Sequence, residues 1–109
     1  MDNKKKEMLA MLTKLADDFQ AQIPERITKI TNAWNDVNDD YNTEKQTNLL
    51  RLAHSLAGTS ATFGFTDIST AAKALEVILQ DINSLDVLKE KHHIICEHID
   101  QLTIASQTN

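Results

Sequence analysis

The chain has 109 residues, of which 41% are hydrophobic and 25% charged, a composition that fits one globular domain with a single small core. Two glycines and one proline are too few for the frequent turns of a β-sandwich or barrel, so helices are favoured. The formal charge is −5 and the one basic run is Lys4-Lys5-Lys6, which excludes the concentrated footprint that nucleic acid or an anionic membrane requires.

The single cysteine, Cys96, rules out an internal disulfide and is compatible with a reducing compartment. No apolar run approaches the ~18–20 residues of a membrane span, and the N-terminus lacks the apolar stretch of a signal peptide. The expectation is a soluble, cytoplasmic protein, and the opening Met1 argues against an internal excerpt.

Apolar residues recur at three and four along almost the whole chain, the period of a one-faced helix. The first stretch carries Met8, Met11, Leu12, Leu15 and Phe19, with Asp2 or Asn3 as N-cap. The second carries Ile23, Ile27, Ile30, Trp34 and Val37, and Pro24 falls between the two stripes. Proline is tolerated in a helix's first turn and not in its interior, so residues 4–38 are either two helices or one kinked helix. Residues 38–42 read as a loop.

The third stretch opens on the capping-box spacing Thr43-Glu44-Lys45-Gln46. Its stripe is Leu49, Leu52, Ala53, Leu56, Ser60 and Phe63, and Gly64 is the natural stop. A fourth helix starts at Thr66, with Ile68, Ala71, Ala72, Leu75, Ile78, Leu79 and Ile82 as its stripe. Ser84 caps a fifth, carrying Leu85, Leu88, Ile95, Ile99 and Leu102, and the tail from 106 to 109 is expected to fray. Short loops between such helices predict an all-α, up-and-down antiparallel four-helix bundle with an additional N-terminal helix across or beyond one end. The whole chain, 1–109, is read as one domain whose core spans about 20–104.

One residue does not fit the third stripe. At ~100° per residue, the stripe centres near Leu49 and Leu56, and His54 points nearly opposite. Its neighbours one and two turns on are Ala57, Gly58 and Ala61, with Leu50 one turn before. A glycine inside a helix costs about 1 kcal/mol relative to alanine. The pattern describes an imidazole on a patch of small side chains, open to another protein's surface. A close helix–helix contact is the competing explanation for Gly58.

The run Ala53-His54-Ser55-Leu56-Ala57-Gly58-Thr59-Ser60-Ala61-Thr62-Phe63-Gly64, followed by Ala74-Leu75-Glu76, resembles a histidine-containing phosphotransfer (HPt) domain. His54, Leu56, Gly58, Ser60, Gly64, Leu75 and Glu76 match that family's pattern at its spacing, and the likeness extends over about residues 20–104, including the upstream Ile-Pro-Glu-Arg helix. The resemblance implies that His54 accepts a phosphoryl group from a receiver-domain aspartate or a sensor histidine kinase and passes it to a response-regulator receiver. The family commonly has lysine three residues after the histidine, where this chain has Ala57, and so resembles the subset that lacks it.

Hairpin geometry supplies a substitute. His54 lies ten residues before Gly64 and Glu76 eleven after Phe65, so the two are near level across a turn. Glu76 sits on the flank of its helix with Lys73 and Gln80. It is expected to accept a hydrogen bond from Nδ1–H of His54, leaving Nε2 as nucleophile, while Lys73, level with Ala57, supplies the missing cation. The competing explanation for Glu76 and Lys73 is an exposed ion pair of little consequence. Leu50, Ala57, Gly58 and Ala61 form the expected docking surface, in a contact below ~1,200 Å².

No P-loop or kinase glycine loop is present, so the expected protein is a monomeric phosphocarrier that lacks its own kinase activity and cofactor, with Mg²⁺ on the receiver partner. A second cluster, His92, His93, Cys96, Glu97 and His98, offers at most two ligands on one face, and no metal site is expected. The alternative from another class is a non-catalytic adaptor bundle, to which Val77 and the Met-rich first stretch lend slight support.

Overall fold

The periodic stretches become four helices in the computed structural model, which describes residues 2–107: α1 (Asp2–Asp39), α2 (Thr43–Thr62), α3 (Thr66–Gln80) and α4 (Leu85–Gln107). Each packs on its neighbour in sequence, α4 returns to α1, and the diagonal pairs do not meet. That closed ring is the up-and-down antiparallel four-helix bundle. Its interior is filled by Ile30 and Val37 from α1, Leu49 and Leu56 from α2, Ile68 and Leu75 from α3, and Leu88, Ile95 and Leu102 from α4.

The additional N-terminal helix is not a separate element. Both early stripes lie on α1, which runs continuously through Pro24. Pro24 is exposed, so the carbonyl one turn back, deprived of its amide partner, lies on the solvent side where water satisfies it. Asp2 is already helical and Asn3 is inside α1, so neither caps it. At about 1.5 Å per residue, the 38 residues of α1 account for the 58 Å long dimension of the molecule. The bundle begins at Phe19, whose ring lies 5.6 Å from Phe63 and 5.7 Å from Phe65. Residues 2–18 form an arm projecting past the α2–α3 turn.

That turn fixes the functional hairpin. Gly64 takes φ +82°, the left-handed conformation that only glycine adopts freely. The amide of Gly64 donates to the Ala61 carbonyl and that of Phe65 to Ser60 at 2.8 Å, the paired bonds that close a helix by a Schellman motif. At the other end of α2, Asn42 is the N-cap, its Oδ1 accepting from the Lys45 amide at 2.8 Å. The expected capping box at Thr43 does not form, because Gln46 is buried and its Nε2 donates instead to the Leu79 carbonyl at 2.8 Å. This bond ties the start of α2 to the end of α3. Ser84 caps α4 through the Val87 amide. Of the tail expected to fray, 106 and 107 continue α4, and 108–109 lie outside the described residues.

Candidate functional site

The inward face of α2 consists of Gln46, Leu49, Ala53, Leu56, Ala57 and Ser60, so it centres near Ala53. The expected centre near Leu49 and Leu56 is off by about 40° at ~100° per residue, which puts His54 about 110° from the core direction. His54 therefore stands on the flank facing α3 and not opposite the core. The rotation also buries Ala57, at 6% exposure, a correction to its expected place on the docking surface. The small side chain lets α3 approach, and the Ala57 carbonyl accepts a hydrogen bond from Ser69 Oγ at 2.9 Å.

Across the seam, Nδ1 of His54 donates to Oε2 of Glu76 at 2.6 Å. An ionised carboxylate only accepts, so Nδ1 carries the proton and the Nε2 lone pair is free in the neutral ring. Lys73 Nζ donates to the other oxygen, Oε1, at 3.0 Å. The three groups differ sharply in exposure: the His54 side chain is 73% exposed, Lys73 60% and Glu76 3%. Glu76 was expected on the flank of its helix, off the core stripe and bonded to His54; the bond is there, and the exposed ion pair that competed with it is not, because α2 lies over the carboxylate. Burial opposes its ionisation, but the hydrogen bonds and charges of His54 and Lys73 outweigh that penalty and hold the carboxyl below its ordinary range.

His54, Ala57, Gly58, Ala61, Ser69, Lys73 and Glu76 line one open hollow of about 230 Å³. Leu50 and Gln80, both named from the sequence, do not line it. Leu50 is partly buried against the core, and Gln80 is exposed at the end of α3, one turn beyond Glu76. Ser69 was not anticipated, although residues 69, 73, 76 and 80 keep the helical spacing of one face. Gly58 has no internal reason to lack a side chain: a Cβ built there meets no atom within 4 Å. The close helix–helix contact considered for it is absent. Ser60, matched in the sequence pattern, is fully buried on the inward face of α2.

The histidines of α4 are arranged differently. The His92 ring lies 5.3 Å from that of Trp34, tilted by 49°, and its Nδ1 is 3.9 Å from Cys96 Sγ. His93 Nε2 pairs with Glu97 Oε1 at 2.9 Å on the surface, and His98 Nδ1 donates to its own helix at the Ile94 carbonyl. Among the described residues, no group of three or more potential ligands converges on a metal position, and no helix is long and apolar enough to cross a membrane.

A protein-family model, the Hpt domain, matches residues 14–105. No curated protein and no solved structure matches the chain. A match over most of the length, on a four-helix bundle with a solvent-facing histidine, means that the chain belongs to the Hpt domain family, whose role is phosphotransfer in two-component signalling.

Proposed function

We propose that His54 is the phosphoacceptor of a phosphorelay, loaded from a receiver-domain aspartyl phosphate or a sensor histidine kinase and unloaded onto a response-regulator receiver. The observation that carries this reading is the 2.6 Å hydrogen bond from Nδ1 to a buried carboxylate beneath a ring that is 73% exposed. In the forward step the Nε2 lone pair attacks phosphorus, the N–P bond forms as the P–O bond to aspartate breaks, and the leaving electron pair restores the receiver's carboxylate. The ring gains positive charge as the bond forms, and Glu76 sits against the Nδ1–H where that charge is shared. A fixed, desolvated acceptor stabilises it more than water would.

The bundle need supply no more than a nucleophile and access to it. Mg²⁺ and the phosphoryl-binding lysine belong to the receiver in this reading, and the chain neither binds ATP nor phosphorylates itself. Lys73 takes the place of the lysine that Ala57 replaces: its ammonium is already at the hollow's edge, held by Glu76. Gly58 and Ala61 leave room for the partner's surface beside His54, and exposed Val77, one turn from Lys73, widens that surface along α3. Gln80 and Leu50 stand at its margin.

The test is incubation with radiolabelled phospho-receivers, comparing wild type with His54→Gln. Uptake of label by wild type alone supports the reading. Equal uptake by both, or partner binding without any uptake, sinks it and leaves the adaptor reading. Lys73→Ala checks the second assignment, which fails if its uptake rate equals wild type.

A further inference from the structure

The arm of α1 before Phe19 carries a hydrophobic stripe that none of the described residues covers. Met8, Met11, Leu12 and Leu15 are 64%, 65%, 51% and 46% exposed. An isolated helix of this length is marginal in water, and most helical stability comes from packing an apolar face. Alongside the stripe runs a charged row, Lys4, Glu7, Met11, Lys14 and Asp18, spaced at three and four. None of its four charges has a hydrogen-bond or ion-pair partner among the described residues.

We propose that two copies of this chain dimerise through this arm, packed antiparallel about a two-fold axis opposite Met11. A two-fold axis across antiparallel helices sets the same flank of each arm against itself in reverse order. Lys4 then faces Asp18 of the second copy, and Glu7 lies within one residue of level with Lys14 of the second copy. Each contact occurs twice, giving four opposite-charge pairs beside a seam of Met8, Met11, Leu12 and Leu15. A parallel pairing would set Lys4 on Lys4 and Asp18 on Asp18, so the charge order selects one orientation, as flanking charges do in coiled coils. The paired arms are about 25 Å long and bury on the order of 1,000 Å², at the small end of specific interfaces. The assembly replaces the monomer expected from the sequence. It stands apart from the phosphotransfer reading, since the arm projects away from His54.

Sedimentation velocity of the full chain tests it, with a monomer–dimer equilibrium expected in the micromolar range. Glu7→Lys is expected to weaken the dimer severalfold, and Glu7→Lys with Lys14→Glu to restore it. Orientation is read by cross-linking in a Cys96→Ser background: Met11→Cys links to itself, Lys4→Cys does not, and a mixture of Lys4→Cys and Asp18→Cys does. A chain that stays monomeric at about 100 μM overturns the proposal. So does self-linking of Lys4→Cys, or a dimer unmoved by both charge variants. Phosphate uptake measured on the same samples keeps this outcome separate from that of the His54 assignment.

Discussion

Two histidine–carboxylate pairs lie among the described residues, and one of them is built into the fold. His54 and Glu76 meet at 2.6 Å, His93 and Glu97 at 2.9 Å. Distance alone does not separate them. In the first pair the carboxylate is 3% exposed, anchored from behind by Lys73 and contributed by a different helix. In the second, both partners sit on one helix turn, 84% and 56% exposed, free to exchange their bond for water at little cost. A buried acceptor beneath an exposed ring fixes the ring's tautomer. An exposed acceptor beside an exposed ring fixes nothing.

The comparison breaks most plainly at the nucleophile. His54→Gln should abolish phosphate uptake from a phospho-receiver, whereas His93→Gln should leave it at the wild-type rate. Next comes the acceptor: Glu76→Gln preserves volume and loses the charge behind Nδ1, and should slow transfer at least about tenfold, while Glu97→Gln should not change it. Single-turnover transfer kinetics read both. Stability should sharpen the contrast further. The folded state holds Glu76 ionised at pH values where the unfolded chain has already protonated it, so its contribution is present above the ordinary carboxylate range and is lost as pH falls through the depressed folded value. Urea midpoints measured from pH 7 to pH 3 should fall in wild type, with a smaller fall in Glu76→Gln. The smallest effect is expected at Gly58. Alanine there meets no neighbour, so it should raise stability by about 0.5–1 kcal/mol yet slow transfer from a partner receiver severalfold. Unchanged transfer would remove Gly58 from the docking surface.

The helical class and four-helix topology were legible because periodicity and a scarcity of turn formers point the same way. Gly64 and Ser84 announced their turns for local reasons that hold in the folded chain. Pro24 left two helices and one kinked helix open, because its effect depends on which side of the helix it occupies, and that is a tertiary fact. The Thr43 capping box failed for the same kind of reason: Gln46, which would have closed it, has a stronger use in tying α2 to α3. At the site, the residue set was readable from spacing, but its burial was not. A rotation of about 40° moved Ala57 inward, and the overlying α2 enclosed Glu76. Side-chain periodicity fixes which face is apolar and leaves the helix phase to packing. Ser69 went unseen because a hydroxyl bridging to a backbone carbonyl leaves no mark in composition.

The Schellman turn at Gly64 has a kinetic consequence. His54 and Glu76 are separated by 22 residues and joined through one tight connection, so the pair belongs to a local hairpin with little loop entropy to overcome. The nucleophile and its acceptor should therefore come into register before α1 and α4 close the ring. Native-state hydrogen exchange would show it as α2–α3 amides outlasting those of α1, and the reverse order of protection would rule it out.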